Sequence, residues 1–461
     1  MITIRRRLGS FGSWVFLPAL LVAASVAVGQ ESQAPPQSEA ESGGQQAEPQ
    51  ATTVTTTKEE PKPYDLWTTK NLTGDWGGVR TEMEDAGVNF SILLGTMTQM
   101  NFRGGLNTHN AHETAGKAFY NMELDFGKMG LVSDGTFFIR GIQTWNSGIR
   151  RHVGSLWHPY YSAGSSGDKE IELDKYWYRQ RLFDDRLEFR FGKLDMADWT
   201  DRNAYADSYM SKFMNQALYV NRTIPTTKAV GAFLKVWPVD WLYVQAAALD
   251  PDIGQSKHTR GTGGWDTAFH DEDRFRAFWE FGLVPKFEGA NGLLPGHYRF
   301  GWWLDPKPKT VFRDTLGGLL AERRRSGDVG FYFNFDQMVW KENDNPKDKQ
   351  GLGVFARVGA AHRDVNKISH VWSLGAAYQG LFPMRESDVL GFGVAQAILS
   401  SQYRDNIDSR ADRETVYELY YKIKVAPWCE ITPDVQVITN PGADKDARDA
   451  LVGGIRIKIA I

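Results

Sequence analysis

From Val88 onward the apolar residues fall on alternate positions. Val88, Phe90, Ile92 and Leu94 lie on one side of an extended chain, and Asn89, Ser91, Gly95, Gln99, Asn101 and Arg103 on the other. A period of two is the signature of a strand with one apolar and one polar face. The pattern returns with Ala118, Tyr120, Met122, Leu124 and Phe126 against Asn121, Glu123 and Asp125. It is cleanest at the end, where Leu451, Ile455, Ile457, Ile459 and Ile461 oppose Arg456 and Lys458. Sixteen strands can be read, starting near Val88, Lys117, Gly135, Ile171, Arg186, Ala229, Trp241, Arg276, Gly296, Val329, Gly351, His370, Asp388, Thr415, Ile431 and Ala450.

Alternation alone does not separate a soluble sandwich from a membrane barrel. Connection lengths do more. Gly104 to Gly116, Asn146 to Glu170, Met196 to Lys228, Asp250 to Phe275, Asp305 to Asp328 and Leu399 to Glu414 are long and polar. Between them come tight turns such as Phe183-Asp184-Asp185, Trp237-Pro238-Val239-Asp240 and Ala426-Pro427-Trp428-Cys429-Glu430. Sorting by parity is what an up-and-down barrel with short periplasmic turns and long outer loops produces. The charged stretch Lys341 to Gln350 is long for such a turn. The expectation is an all-β fold, a 16-stranded antiparallel transmembrane β-barrel over residues 88–461. A short N-terminal helical segment within residues 64–87 precedes it, with Thr81 to Ala86 closed by Gly87 at the C-terminal end.

The first 29 residues read as a secretory signal, because Arg5, Arg6 and Arg7 precede an apolar stretch from Trp14 to Ala27 that ends in small residues. Residues 30–63, rich in Gln, Glu, Ser, Thr and Pro, read as a disordered periplasmic linker. With 53 Lys+Arg against 56 Asp+Glu the net charge is -3, which excludes a generally basic nucleic-acid binder. Cys429 is the only cysteine, so there is no intramolecular disulfide and no zinc ribbon. No later apolar run approaches the roughly 20 residues of a membrane helix. The 16 Trp, 17 Tyr and 26 Phe, with 46 Gly, suit a chain of many strands and turns.

Several motifs occur in order: Leu72-Thr73-Gly74-Asp75-Trp76-Gly77-Gly78-Val79-Arg80 before Gly87-Val88, then Phe191-Gly192-Lys193-Leu194-Asp195, then Gly351-Leu352-Gly353-Val354-Phe355-Ala356-Arg357. Tyr417-Glu418-Leu419-Tyr420-Tyr421-Lys422 follows, with Pro433-Asp434-Val435-Gln436 and Asn440-Pro441-Gly442 after it. From about Leu72 to Ile461 the chain resembles the carbohydrate-selective porin family typified by OprB. The resemblance implies a 16-stranded outer-membrane barrel that passes sugars passively through a constriction rich in arginine and acidic residues. It also places the chain in the outer membrane of a diderm bacterium, exported by its signal peptide. Two features depart from the common pattern: the chain ends on Ile461 where many such barrels end on Phe, and the linker is long.

A charged side chain facing lipid at mid-membrane is unfavourable by roughly 2 to 4 kcal/mol, so charges that alternate with apolar residues point into the lumen. That rule turns Glu123, Asp125, Arg140, Arg179, Arg190, Glu280, Arg299, Arg357, Glu418, Lys422, Arg456 and Lys458 inward. Of these, Glu123, Asp125, Arg140, Arg179, Arg190, Arg357, Glu418 and Lys422 are candidates for contacting the solute. A set of both signs offers donors and acceptors to neutral polyols; the plainer alternative is that these charges solvate the wall and pair with one another. The longest connection, Met196 to Lys228, is of the kind that in porins folds back to narrow the lumen; Trp199, Tyr205 and Tyr209 are then candidates for stacking against sugar rings, with flanking charges such as Asp198 and Arg202 holding the hydroxyls, and the alternative is an extracellular cap packed on its own aromatics.

Other constellations are weaker. His109-x-x-His112-Glu113 has no third ligand in view, His362-Arg363-Asp364 matches a kinase loop only as letters, and Arg323-Arg324-Arg325 reads as a solvated face or a contact for anionic surface glycolipid. The function expected is passive, carbohydrate-selective diffusion of small sugars. A general or anion-preferring diffusion pore is the alternative, and a soluble secreted protein that binds or cleaves carbohydrate a more distant one. No enzymatic activity, cofactor or metal is expected. The expected partners are small sugars, outer-membrane lipid and lipopolysaccharide, and the barrel-assembly machinery, with no nucleic acid. The channel is expected as a monomer or homotrimer.

Overall fold

A computed structural model describes residues 64–146, 148–160, 169–225, 228–251, 274–312, 323–345, 347–407 and 412–461. The signal and linker expected over residues 1–63 lie outside the described residues. Sixteen wall strands are present among the described residues: β1 Val88–Arg103, β2 His112–Asp125, β3 Gly135–Trp145, β4 Lys169–Leu182, β5 Leu187–Asp195, β6 Lys228–Val239, β7 Leu242–Leu249 and β8 Arg276–Leu283, which continues past a break as Lys286–Gly289. They go on as β9 Gly292–Asp305, β10 Asp328–Lys341, β11 Gly351–Ala361, β12 Ile368–Gln379, β13 Val389–Leu399, β14 Arg413–Ala426, β15 Cys429–Thr439 and β16 Ala450–Ala460.

Each strand pairs antiparallel with its neighbour in sequence, and β1 pairs with β16 through Leu94 opposite Ile459 and Met97 opposite Arg456, which closes the sheet. Closure satisfies the backbone of every wall strand without leaving an edge, the condition for a sheet in lipid. The alternation is inside-out relative to a water-soluble protein. On β10, Phe331 and Phe333 are exposed while Tyr332, Asn334 and Asp336 are buried. On β16, Ile455 and Ile457 are exposed and Arg456 is buried.

The connections after odd-numbered strands include 146–168, 196–227, 250–275, 306–327 and 400–412, against 183–186, 240–241, 290–291 and 427–428 at the other end. Two details differ from the sequence expectation. Strand β2 begins at His112 rather than near Lys117, because Met100 and His112 still pair, so the first outer connection shrinks to 104–111. The turns 126–134 and 380–388 are as long as 342–350. Side chains knit them: Asp125 Oδ1 accepts the Gly127 and Lys128 amides at 3.0 and 3.1 Å, and Asp388 accepts the Lys424 amide at 2.8 Å and Arg385 Nε at 2.7 Å.

Before β1, helix α1 (Val79–Asp85) forms as expected, with the Thr81 amide on Asp75 Oδ1 at 3.0 Å and Gly87 following at a φ of +88. A side chain at Gly87 would also press on the Asp125 carbonyl, which explains the residue doubly. The segment docks at the short-turn end. The Leu72 amide donates to the Ala460 carbonyl at 2.8 Å, and Trp428 Nε1 to the Leu66 carbonyl at 2.7 Å.

Candidate functional site

The long connection 196–227 does not stand outside the barrel. Its side chains and backbone are bound by residues on the inner faces of β7 to β16, so it crosses the lumen. Asp195 Oδ1 accepts the Ala197 amide and starts a turn over Met196–Asp198, and Asn215 caps the short helix α2 (Gln216–Tyr219) by accepting the Ala217 amide at 3.0 Å.

Arg357 on β11 is the central anchor. It donates to the carbonyls of Leu218 (2.9 Å), Ala206 (3.1 Å) and Asp201 (3.2 Å), and its Nε lies 2.7 Å from an Asp201 carboxylate oxygen. Asn334 donates to that carboxylate at 2.6 Å, and Glu280 accepts the Asp201 amide at 3.0 Å. Burial pushes the Asp201 carboxyl above its ordinary range, and the Arg357 guanidinium opposes that shift. On β14 Glu418 accepts the amides of Met214 (2.6 Å) and Asn215 (2.9 Å), while Arg456 donates to the carbonyls of Tyr209 and Lys212 at 2.6 and 2.8 Å. The wall charges Arg357, Glu280, Glu418 and Arg456 are each matched to loop backbone, whose polar groups need such partners once it leaves water.

A second connection joins the plug. Glu414 accepts the amides of Leu156 and Trp157 at 2.7 and 3.3 Å, and Gln99 and Gln436 both donate to the Pro159 carbonyl. Tyr160 packs against Tyr209 with ring centroids 6.0 Å apart, and burial raises its phenol to about 12. His158 is buried beside Arg150, and burial, reinforced by Arg150, Arg222 and Lys117, lowers its imidazole to about 4.

The opposite wall, β2 to β7, stays open to two cavities. The first, about 420 Å³, is lined by Lys117, Phe119, Arg140, Asp174, Lys175, Lys228 and, from the loop, Asp207, Tyr209 and Tyr219. The second, about 280 Å³, is lined by Glu188, Arg190, Trp199, Phe233, Lys235, Trp237, Tyr243, His297 and Arg299. Asp198 and Arg202 of the crossing loop line both.

The sequence-derived candidates therefore separate into groups. Arg140 and Tyr209 line the first cavity, with Arg140 Nε donating to Asn121 at 2.6 Å and its guanidinium 4.7 Å from the Phe119 ring centroid. Arg190 and Trp199 line the second. Arg190 is 2.6 Å from Glu188 and stacks over Trp177 and Trp199, whose ring lies 5.0 Å from Phe233. Arg179 donates to Thr136 at 2.9 Å, and Glu123 is half-buried on the same wall. Arg357 and Glu418 are buried as loop anchors. Tyr205 packs onto β11 where Gly353 leaves room, and burial raises its phenol to about 12. Asp125 holds the turn after β2, and Lys422 is half-buried in the field of Glu430 and Lys458.

Sequence reasoning passed over Lys117 and Lys235, and it marked the loop residues Asp198 and Arg202 only as charges flanking the loop aromatics. Lys235 follows Phe233 at a spacing of two and was legible as inward; the loop residues carry no periodicity to read. The weaker motifs resolve locally. Glu113 turns to Asn146 (2.7 Å), Arg151 and His152 (3.2 Å), and Arg325 reaches His362 (2.8 Å) and Asp364 (3.3 Å) at the rim.

A closed barrel of sixteen wall strands, apolar outside, polar inside and narrowed by its own outer loop, is the architecture of an outer-membrane diffusion channel. The comparisons with known proteins give the class. The carbohydrate-selective porin, OprB family matches residues 109–461, and the chain belongs to that family. Porin B of Pseudomonas aeruginosa is 25% identical over 440 residues, covering 84% of this chain and 91% of that one. The putative porin QuiX of Acinetobacter baylyi is 24% identical over 437 residues, covering 86% and 94%. The high-pH structure of Pseudomonas putida OprB shares the fold with a TM-score of 0.74 at 21% identity, covering 86% of this chain and 100% of that one. The protein is an outer-membrane porin of the carbohydrate-selective class, and its family and fold are those of channels.

Proposed function

We propose that small sugars diffuse along the β2 to β7 wall, passing from the larger cavity to the smaller one beside Asp198 and Arg202. The observation that supports this reading is the shared pair: two cavities, the smaller also bounded by His297 and Arg299 of β9, that have a loop carboxylate and a loop guanidinium in common. Arg140 and Arg190 are the residues taken to contact solute, with Glu123, Arg179 and Glu188 as further members of the wall. A guanidinium presents a rigid fork of donors to neighbouring hydroxyls, carboxylates accept from others, and Tyr209 and Trp199 offer ring faces to the apolar side of a pyranose. Contacts spread over a wall bind weakly enough to release, as passage requires. Lipid and, at the outer rim, lipopolysaccharide surround the apolar belt. Residues 1–29 are taken as the export signal and 30–63 as a periplasmic linker.

The test is reversible block of ion current in planar bilayers. Glucose is expected to block at millimolar concentration, and Arg140→Ala or Arg190→Ala to weaken the block by roughly tenfold, about 1.4 kcal/mol. If no sugar alters the current, and liposome uptake shows no preference over other neutral solutes of equal size, the sugar-selective path is wrong.

A further inference from the structure

In the smaller cavity the cations do not all have the same surroundings. Arg190 is 2.6 Å from Glu188, Arg202 is 2.6 Å from Asp207, and Arg299 is 2.7 Å from Asp336. His297 is held by the same Asp336 at 2.6 Å. Lys235 is the exception: among the described residues it makes no ion pair. Its ammonium lies between two rings, 3.9 Å from the centroid of Tyr243 and 4.5 Å from that of Trp237. The acids whose field reaches it are engaged elsewhere, Glu188 with Arg190 and Glu280 with Tyr243 (2.7 Å), Gln245 (3.0 Å) and the Asp201 amide.

We propose that this cavity is a binding site for a sugar acid, a pyranose ring carrying a carboxylate, with Lys235 receiving the carboxylate and the aromatic rings the ring face. The proposal deepens the sugar-channel reading and rests on it. A half-buried ammonium without a counter-charge is poorly compensated, and an arriving carboxylate restores the balance that the other cations already have. Stacking supplies the rest. Trp199 and Phe233 are stacked at 5.0 Å, and Trp237 and Tyr243, the pair that holds the Lys235 ammonium, lie 4.9 Å apart; Phe233 and Tyr243 are buried beneath, so the half-exposed Trp199 and Trp237 offer the ring faces. A simple anion such as chloride would use Lys235 and gain nothing from the rings. A neutral hexose would use the rings and leave Lys235 as it is. Only a solute with both features uses the whole lining, and the volume of about 280 Å³ is of the size of a single-ring site.

The probes are glucuronate and glucose, added to the full chain in planar bilayers. In the unaltered protein glucuronate is expected to block at about one tenth of the glucose concentration, and to quench tryptophan emission of the detergent-solubilised protein saturably over the same range. Lys235→Gln should bring the ratio of the two blocking concentrations close to one, and Lys235→Arg should keep most of the preference. The proposal is overturned if glucuronate and glucose block equally in the unaltered protein, or if Lys235→Gln retains the preference. A heat-dependent shift in gel mobility verifies that each variant is a closed barrel. Absence of block by either solute is a different result, since it removes the sugar-channel reading itself.

Discussion

The two sides of the lumen use the same residue types for opposite purposes. On β10 to β16, Asn334, Arg357, Glu418, Gln436 and Arg456 are buried and spend their hydrogen bonds on the polar groups of the two inward connections. On β2 to β7, Arg140, Arg190 and Lys235 stay half-buried and line cavities. Strand alternation is blind to this difference, because it says only that a side chain points inward. What separates the sides is whether a loop backbone arrives to use the charge. If the open wall is the path proposed above and the anchor wall holds the loop that narrows it, substitutions on the anchor wall should alter pore size and those on the open wall should alter solute preference.

The sharpest way to break that division is at Arg357. Removing its guanidinium strips three loop carbonyls of their donor and leaves the Asp201 carboxylate without its cation in a buried place. Loss of one partner of a buried pair destabilises by about 3 to 5 kcal/mol. The closed sheet does not depend on that contact, so the loss falls on the loop. Arg357→Ala is expected to raise single-channel conductance several-fold, to make the 196–227 connection cleavable by added protease, and to leave heat-modifiable mobility intact. An unchanged conductance with a protected loop would show that Arg357 does not set the bore.

A second substitution acts on shape alone. Gly353, two positions before Phe355 on β11, has no Cβ because the Tyr205 ring occupies that space, and at Gly393 on β13 a Cβ would sit 2.7 Å from Leu218 and 3.0 Å from Phe213. Glycines weaken strands by about 0.5 to 1 kcal/mol, so their presence here reflects the close approach of the loop. Gly353→Leu is expected to push Tyr205 off the wall at a cost of about 1 to 3 kcal/mol, the usual range for overpacking. The conductance increase should be smaller than for Arg357→Ala, with the sugar block reduced in parallel. Conductance and block at the unaltered level would mean that the loop accommodates the larger residue.

Much of this fold is legible in the sequence. The alternation of Phe331, Phe333, Ile455 and Ile457 with Asn334 and Arg456 fixes which face meets lipid, and connection parity fixes the two ends. Arg140 and Arg190 were legible as inward and lie where solute passes in the path proposed above. The fate of Arg357 and Glu418 was not legible. Their partners are backbone groups of Leu218, Ala206, Met214 and Asn215, and backbone groups leave no mark in sequence. Gly353 and Gly393 were the available signal, since an inward glycine opposite a long aromatic-rich connection reserves space for something.

The smallest expected effect concerns acid, and it tests whether the 148–160 segment belongs to the anchored plug. His158 sits among Arg150, Arg222 and Lys117, and its carbonyl accepts the Gln216 amide at 3.0 Å, so it ties the two inward connections together. Burial first, then these cations, lowers its imidazole from an ordinary 6.5 to about 4. Between those values the undocked segment binds a proton that the docked one excludes, so docking weakens as pH falls through 6.5 and the loss is complete near pH 4. Above pH 6.5 both states are neutral and His158 contributes no pH dependence. At pH 5.5 the one-unit distance from 6.5 amounts to about 1.4 kcal/mol. Conductance is expected to rise modestly from pH 7 to 5, and His158→Gln, which cannot take up a proton, to remove the part of that rise due to His158. A rise of the same size in His158→Gln would assign the acid response to other groups and leave the second connection outside the anchored plug.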